Sequence, residues 1–355
     1  MSPITERDFQ SEEPLHPAAE ALLSEFFSKG WPDPSKIHQQ SARLRNLIAT
    51  AKESIASNLG VESTELEFVG ELGFGFQTAI AGLLHNRNKK FFLSAVDRQV
   101  VHAFAREHQD LKGELEILQP DDLGVIDFDA TTANSIVSWQ SVNRETGVRQ
   151  ELATPRENQL VFADMTADTE LKRIPTNWSS ALWDPRLFRG PQGIAIIGIS
   201  NRGGWKNPGP QIDKRRVYGS YSKPLLLACA VALENWLAEK ADRDRKLSEL
   251  NDLTRKLLVE SIPGVRVAGD PSKCDARYLA FSIPNVIAEE VLRKVEQSGF
   301  LIDAGSACGG GAMEPSHVLT AMGFGIDGNF RVTFKTEQSQ DSVKELISVL
   351  LNALN

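Results

Sequence analysis

The sequence has few cysteines and no recognisable pattern of metal ligands. Its 355 residues include three cysteines, Cys229, Cys274 and Cys308, which lie far apart and form no C-x-x-C pair. This usage predicts neither a disulfide framework nor a thiolate metal site. The six histidines show no H-E-x-x-H spacing, so we expect no metal centre.

Long hydrophobic runs and an excess of positive charge are also missing. The longest apolar runs, residues 193–199 and 225–233, are shorter than the ~18 residues that a membrane span requires. Acidic residues outnumber basic ones by 47 to 39, and the resulting net charge of −8 makes nucleic acid an unexpected partner. Residues 1–8 lack the basic and apolar regions of a secretion signal. We therefore expect a cytoplasmic protein without a membrane span.

The chain does contain a regular alternation of extended and helical segments. Helices are predicted over 13–29 and 38–59, and a long helix over 224–261. Before the long helix, strands are predicted at 66–69, 91–95, 114–118, 135–139, 160–163, 181–183 and 193–199. This alternation predicts a mainly parallel sheet covered by helices. After the long helix, a compact α+β unit is predicted from strands at 265–268, 278–283, 300–303 and 330–334 and helices at 288–298, 315–322 and 342–354.

The strongest candidate for chemistry is Cys308, which lies in the glycine-rich stretch 305–311, Gly-Ser-Ala-Cys-Gly-Gly-Gly. Glycines on both sides of a loop cysteine let a nucleophilic thiol reach its substrate. A small cysteine packed under a tight turn fits the same stretch, because no neighbouring Lys, Arg or paired His favours the thiolate. Cys229 lies in an apolar helix and is expected to fill the core, and Cys274 has no evident role.

Three other features have both a functional and a plain structural interpretation. Gly73-Phe74-Gly75 follows a predicted strand and would present backbone N–H groups to a phosphate, but Glu71 would repel that anion, so a turn is preferred. Asp164 ends a predicted strand, where α/β proteins place ligand contacts, and a capping carboxylate explains it equally well. His102 and His108 are expected on a helix surface.

Four short strings form a consistent pattern along residues 8–350. Residues 305–308 read Gly-Ser-Ala-Cys, and residues 314–319 read Glu-Pro-Ser-His-Val-Leu. Residues 137–147 are similar to the pattern V-S-x-x-x-V-N-N-E-x-G and contain Asn143, and residues 190–193 match G-P-x-G. Together these strings resemble the cysteine desulfurases, which are class V aminotransferase family proteins of fold type I that depend on pyridoxal 5′-phosphate (PLP).

The resemblance implies an α/β PLP-transferase fold with two domains. The large domain would cover residues 42–239, and a smaller α+β domain would combine residues 1–41 with 240–355. In the family the loop cysteine takes sulfur from a PLP-bound cysteine as a persulfide, so Cys308 is the catalytic candidate. Asn143 and Asp164 are the candidate cofactor contacts. The resemblance also implies a homodimer, or a heterodimer with an active desulfurase, and a sulfur-acceptor protein as a further partner.

The lysine and the phosphate loop of the family are replaced in this sequence. With residues 190–193 as the anchor, the Schiff-base lysine aligns with Leu187 and the histidine before it with Arg186. An isobutyl side chain forms neither an imine nor a proton relay. The family's phosphate loop, S-G-A-T-E-S-N, aligns with residues 70–76, which include Glu71.

The contacts to the pyridine ring and to the substrate carboxylate are replaced as well. Asp164 of the family's D-x-x-Q pair is kept, but the glutamine aligns with Ala167 and the ring-stacking histidine with Asp97. Arg331 keeps the first arginine of R-F-S-x-x-R, whereas the second, which clamps the carboxylate, aligns with Thr336. These changes remove several charge-assisted hydrogen bonds of ~1.5–3 kcal/mol each, so no bound cofactor is expected.

The preferred hypothesis is therefore a degenerate cysteine desulfurase-like protein that does not depend on PLP. It would accept or relay sulfur through Cys308, or serve as a scaffold for sulfur-transfer partners. One alternative is an active PLP-dependent enzyme whose lysine lies elsewhere, and another is a regulatory or structural subunit with an idle Cys308. The nearest lysines are Lys172, Lys206, Lys214 and Lys223. An open polar cavity would favour catalysis, whereas a small molecule is excluded if the cavity is filled by Phe74, Phe76 and Phe188.

Overall fold

A mixed sheet whose strands alternate with helices forms the larger part of the structure. The computed structural model describes residues 6–10, 12–151, 154–210, 216–217, 221–305 and 315–354. Within these residues the sheet is formed by β1 (Leu66–Val69), β2 (Phe91–Ser94), β3 (Leu115–Leu118), β4 (Ile136–Gln140), β5 (Leu160–Asp164), β6 (Trp178–Trp183) and β7 (Ala195–Ile199). Their spatial order is β1-β7-β6-β5-β4-β2-β3.

Most neighbouring strands in this sheet are parallel. β2 pairs in parallel with β3 and β4, β4 with β5, and β5 with β6, whereas β7 is antiparallel to both β1 and β6. The predicted mainly parallel sheet is thus confirmed. β6 begins at Trp178, earlier than predicted, because Trp178 and the serines after it are also buried.

Helices cover both faces of this sheet. They are α1 (Pro17–Lys29), α2 (Gln39–Leu59), α3 (Leu72–Leu84), α4 (Gln99–Asp110) and α5 (Lys223–Ala238). Successive strand residues point to opposite faces, so Phe92 and Val137 join the core with α2 and α5, while Phe91 and Ile136 join the core with α3 and α4. Burial on both faces explains why these strands read as continuous apolar runs.

The single long helix predicted over 224–261 is wrong, because two helices occupy this stretch. α5 ends at Ala238 and α6 (Lys240–Ser261) begins after Glu239. α5 packs into the core under the large sheet, whereas Leu247 and Leu250 of α6 belong to a second core. The chain changes direction where it passes from one core to the other. Within the described residues, no helix is both long and apolar enough to cross a bilayer.

A small antiparallel sheet organises the second core. It consists of β8 (Arg266–Val267), β9 (Tyr278–Ser282), β10 (Asp303–Ala304) and β11 (Asn329–Thr333), in the order β10-β11-β9-β8. Around it lie α6, α7 (Ala288–Gln297) and α9 (Gln340–Leu354), whereas α8 (His317–Ala321) contributes Val318 and Leu319 to the core under the large sheet. Phe281 and Phe330 stack in this core with ring centroids 5.4 Å apart. The strand predicted at 300–303 joins the sheet only at its end, in β10, and Leu301 forms an isolated bridge with Asp8.

The N-terminal segment contacts both parts of the structure. The backbone N–H of Phe9 donates to Leu301, and the carbonyl of Phe9 accepts from Thr333, so Phe9 joins the second core. Ala19 of α1 belongs instead to the core under the large sheet. The domain limits 42–239 and 1–41 plus 240–355 stay a prediction.

Candidate functional site

A polar cavity of about 290 Å³ lies at the carboxyl ends of β2 and β4. It is lined by the segments 96–99 and 140–145, together with residues from β11 and α8. Parallel strands end at a common edge, where α/β proteins bind their ligands. Among the predicted site residues, Asn143 lines this cavity. Asp164 does not line it but forms an ion pair with Arg98, which does.

The three phenylalanines named above do not fill this cavity. Phe74 is 61% exposed, whereas Phe76 and Phe188 are buried in separate cores. The cavity is instead lined mostly by charged and amide side chains. Of the two outcomes set out above, the ring-filled cavity that would exclude a small molecule is therefore not observed, and the open polar cavity that would favour catalysis is.

Arg98 and Asp164 form an ion pair at the cavity wall. Nε of Arg98 lies 3.3 Å from Oδ2 of Asp164, whose side chain is 2% exposed. Nη2 of Arg98 donates to Thr166, and Oδ1 of Asp164 accepts from the backbone N–H of Thr166 at 2.9 Å. The guanidinium also lies over the ring of Phe76, 5.6 Å from its centroid. The carboxylate at the end of β5 is thus held by the protein's own cation.

Asp97, which aligns with the family's ring-stacking histidine, is almost completely buried. Its Oδ2 accepts from the backbone N–H of Ser94 at 3.0 Å, which closes the turn after β2. Burial, with a smaller contribution from the nearby Asp164 charge, raises the pKa of Asp97 to about 7. This carboxyl group therefore carries a proton at neutral pH in a large share of the molecules.

Asn143 has a structural role that its position in the sequence motif does not reveal. Its amide nitrogen donates to the carbonyl of Val96 at 2.9 Å and to Gln140 at 3.0 Å. Its Oδ1 accepts from the backbone N–H groups of Glu145 and Thr146. The contact with Val96 joins the segments after β2 and β4, and the other three hold the segment after β4 in place, so Asn143 shapes the cavity.

Two histidines meet beside the cavity, and their placement corrects a prediction. The rings of His102 and His317 contact edge to face at 5.8 Å, and Nε2 of His317 donates to the carbonyl of Asp97. Burial and the neighbouring His317 lower the pKa of His102. The surface placement predicted for His102 and His108 is wrong, because His102 is half-buried against α8 and His108 is buried against Phe91.

Arg331, the retained first arginine of the R-F-S-x-x-R motif, is already paired. Nη1 of Arg331 lies 3.2 Å from Glu145, and Nη2 lies 3.5 Å from Asp303. Ser316 donates to the second oxygen of Glu145 and fixes it in place. Thr336 does not line the cavity, and its carbonyl accepts from Lys246.

Leu187 lies in a short 3-10 turn, Pro185–Phe188, that follows β6. Asp184 caps this turn by accepting from the backbone N–H of Arg186 and also pairs with its guanidinium. The side chain of Leu187 is 4% exposed within the core under the large sheet. Its carbonyl accepts from the buried Arg277 at 2.9 Å. Leu187 is thus largely buried in the core, and it also lines a small pocket next to the polar cavity.

The start of α3 corrects the turn predicted at Gly73-Phe74-Gly75. These residues form the first turn of a helix that begins at Leu72. The side chain of Glu71 caps it by accepting from the N–H of Leu72 at 3.1 Å. The expectation that a carboxylate satisfies this helix end is confirmed. Gly75 packs so tightly against Leu182 that a larger residue would not fit at this position.

Comparison with known proteins agrees with this architecture. The family model described as "Aminotransferase class-V" matches residues 219–346. A cysteine desulfurase IscS of Dictyoglomus turgidum is 25% identical, with 97% of this chain and 92% of the relative covered. The IscS of Methanosarcina thermophila is 26% identical, with 94% and 88% covered. The chain is thus similar to cysteine desulfurases along nearly its whole length, and its C-terminal part matches the class V aminotransferase model.

Solved structures of the family share the fold of this chain. A NifS-like protein superimposes with a TM-score of 0.85 at 16% identity, with 98% of both chains covered. The apo cysteine desulfurase of Thermococcus onnurineus superimposes with a TM-score of 0.80 at 16% identity, with 97% of this chain and 94% of that one covered. The expected PLP-transferase fold is thus confirmed.

PLP, on which the family depends, does not fit the residues described around the cavity. Its pyridine nitrogen would need Asp164, whose Oδ2 lies 3.3 Å from the positively charged Arg98 but forms no hydrogen bond with the described residues. Within the described part of the chain, no lysine lines the cavity, and Leu187 is packed in the core. The carboxylate of Glu71 at the start of α3 repels a phosphate dianion. Each of the three recognition elements of the cofactor therefore meets a residue unsuited to it.

Cys308, the predicted catalytic residue, lies outside the described residues. The two cysteines inside them are poor nucleophiles. Burial raises the pKa of Cys229 well above its usual value, and burial also raises the pKa of Cys274 despite the nearby Arg255. Within the described ranges, no group of three or more His, Cys, Asp or Glu side chains is arranged to hold a metal ion.

Proposed function

We propose that this protein is a member of the cysteine desulfurase family that works without PLP and accepts sulfur on Cys308. The observation that carries the proposal is the Arg98–Asp164 ion pair, because a protein cation takes the charge partner that a pyridine nitrogen would need. Burial of Leu187 in the core supports it from the other side of the site. The strings at 305–308 and 314–319 support Cys308 as the thiol that the chain has kept.

The reaction proposed for Cys308 is a transfer of sulfane sulfur between thiols. The Cys308 thiolate attacks the outer sulfur of a donor persulfide, and a new S–S bond forms as the S–S bond of the donor breaks. The donor leaves as a thiolate with the electron pair of the broken bond. An acceptor thiolate then removes the same sulfur from Cys308 in the same way, so no external oxidant or reductant is required.

The absence of a covalent cofactor link is tested by titrating the purified protein with PLP. We expect a visible spectrum equal to that of free PLP and no pyridoxyl adduct after borohydride reduction and peptide mapping. A cysteine desulfurase that binds PLP, treated identically, serves as the positive control. A borohydride-trapped adduct on any lysine would refute the proposal and favour the active PLP-dependent alternative.

Sulfur acceptance is tested with glutathione persulfide as the donor. Alkylation and mass spectrometry should find one added sulfur atom on Cys308 and none on Cys274, because burial keeps Cys274 in its thiol form. The Cys308→Ala variant should lose the modification, whereas Cys274→Ala should keep it. Modification of Cys274 with Cys308 unchanged would remove the sulfur-acceptor function and leave the idle regulatory subunit.

The proposal includes assembly as a dimer, either with a second copy or with an active desulfurase, and delivery of sulfur to an acceptor protein. Phe74 at the start of α3 and Ile37 are 61% and 96% exposed and are apolar side chains that a dimer would cover. A cytoplasmic location remains part of the proposal. Light scattering of the protein, alone and mixed with a desulfurase, distinguishes the two dimers, and a monomer in both samples would contradict this assembly.

A further inference from the structure

A second groove of about 200 Å³ lies beside the small antiparallel sheet, and none of its lining residues lines the polar cavity. It is bounded by the start of α7, by the turn before β11, and by Gly305 and Pro315. Nothing in the proposed sulfur chemistry uses these residues. The groove therefore requires an explanation of its own.

Two large aliphatic side chains flank the groove and face solvent. Ile287 is 64% exposed and Ile326 is 63% exposed, and they come from two different segments that line the groove, the start of α7 and the turn before β11. A single exposed isoleucine is ordinary on a protein surface. Two that line one concave site form an apolar seat for a ligand side chain.

The side chain of Asn329 indicates which chemical groups that ligand carries. Asn329 lines the groove and is 2% exposed, yet neither its amide nitrogen nor its amide oxygen has a hydrogen-bond partner among the residues that the structure describes. Buried polar groups are normally paired, and an unpaired one costs free energy. A primary amide offers one acceptor beside its N–H donors, which is the complement of a peptide group.

The start of α7 adds a second polar feature to the same groove. This helix of ten residues begins after Ile287 without a side-chain cap, and Ala288 and Glu289 of its first turn line the groove. An uncapped helix start presents backbone N–H groups that favour a carbonyl oxygen. Together with Asn329, it can satisfy both polar atoms of one peptide bond.

The charges at the groove select the residue next to that peptide bond. Glu289 and Asp327 line the groove, and no basic side chain within the described residues does so. Glu289 is already paired with Arg293 at 2.5 Å, which leaves Asp327 as the charge available to a ligand. A lysine or arginine in the ligand complements this carboxylate.

We propose that the groove binds an extended segment of a partner protein that contains an aliphatic residue followed by lysine or arginine. The aliphatic side chain lies between Ile287 and Ile326, the peptide group pairs with Asn329, and the basic side chain faces Asp327. The groove ends at Gly305 and Pro315, on either side of the segment with Cys308. The inference concerns binding alone and holds whether or not Cys308 carries sulfur.

The test uses fluorescein-labelled decapeptides of glycine and serine with a central Leu-Lys, Leu-Glu or Ser-Lys pair. Fluorescence anisotropy with the full chain should rank Leu-Lys first. Asn329→Leu should weaken this binding about tenfold, because it removes two hydrogen bonds. The variant should still fold, since it replaces an unpaired buried amide by an apolar group of similar shape. Asp327→Lys should reverse the preference, so that Leu-Glu binds more tightly than Leu-Lys.

A matched control is Val259→Ser on α6, because Val259 is also 64% exposed but lies outside the groove. It should leave peptide binding unchanged, whereas Ile326→Ser should weaken it. Equal binding of the three peptides, or an unchanged preference in Asp327→Lys, would overturn the inference. Self-association of the protein that Ile326→Ser abolishes would assign the groove to a second copy and would also overturn it.

Discussion

Asp97→Asn should make the protein more stable at alkaline pH without changing its stability in acid. Asp97 is 1% exposed, and burial raises its pKa from the usual 3.8 to about 7. The substitution keeps the shape of the side chain and one oxygen that accepts from the N–H of Ser94. It removes the ionisable proton, so any pH dependence caused by this carboxyl group disappears with it.

The sign and the size of the effect follow from proton linkage. A carboxyl group with a higher pKa in the folded protein binds its proton more tightly there than in the unfolded chain. Its stabilising contribution is complete below pH 3.8 and is lost as the pH rises to about 7. A difference of about three pH units corresponds to about 4 kcal/mol at most. Asp97→Asn should therefore gain about 2–4 kcal/mol over the wild type at pH 8 and little at pH 4.

Urea unfolding followed by tryptophan fluorescence at several pH values between 4 and 8 measures this difference. Asp122→Asn is the matched control, because Asp122 is exposed and its removal should leave the pH dependence of the unfolding free energy unchanged. If Asp97→Asn and the wild type differ by the same amount at pH 4 and pH 8, burial of Asp97 does not raise its pKa. In that case Asp97 is ionised at the cavity wall.

Three further results are expected. Arg98→Leu should lower the free energy of unfolding by about 2–4 kcal/mol, because it leaves the buried Asp164 without its cation. Arg98→Lys should lower it less. Equal losses of unfolding free energy for the two variants in urea titrations would contradict this. The Leu187→Lys variant alone should form no borohydride-trapped PLP adduct while Arg98 still holds Asp164. The double variant with Arg98→Ala tests whether Arg98 is the obstacle to PLP binding. An adduct in the single variant would show that Arg98 is not the obstacle. Cys274 should react with iodoacetamide more slowly in the native protein than in urea, as peptide mass spectrometry can measure, and equal rates would show that its burial gives no protection.

The large sheet could be predicted from the sequence because its strands are buried on both faces. The run at 160–163 stays apolar throughout and the run at 91–95 is interrupted only by Ser94, and this signal is independent of the distant partners. The break between α5 and α6 could not be predicted, because helical periodicity continues through Glu239. Only the change from one core to the other, which is a property of the folded chain, bends the helix there.

The Arg98–Asp164 pair is the site feature that the sequence analysis missed. The two residues are far apart in the chain, and Arg98 belongs to no motif. A signal was nevertheless present, because each follows or ends a predicted strand of one parallel sheet, and the carboxyl ends of such strands meet at one edge. A cation beside one strand end and an anion at a nearby one are candidates for pairing. The helix start at Leu72 was missed for a different reason, since the glycines at 73 and 75 disfavour a helix, which the cap by Glu71 helps to offset.

The survival of Asp164 beside the replacement of the lysine has a physical explanation in the needs of the fold. Asp164 binds the backbone of Thr166 and pairs with Arg98, so the cavity wall requires it whether or not a cofactor is present. A lysine at 187 has no such second role. Leucine, 4% exposed there, contributes about 1.5–3 kcal/mol of burial free energy, whereas an unpaired ammonium in the same core would be costly. Folding alone therefore favours Asp at 164 and Leu at 187, and the presence of Asp164 is not by itself a sign of PLP binding.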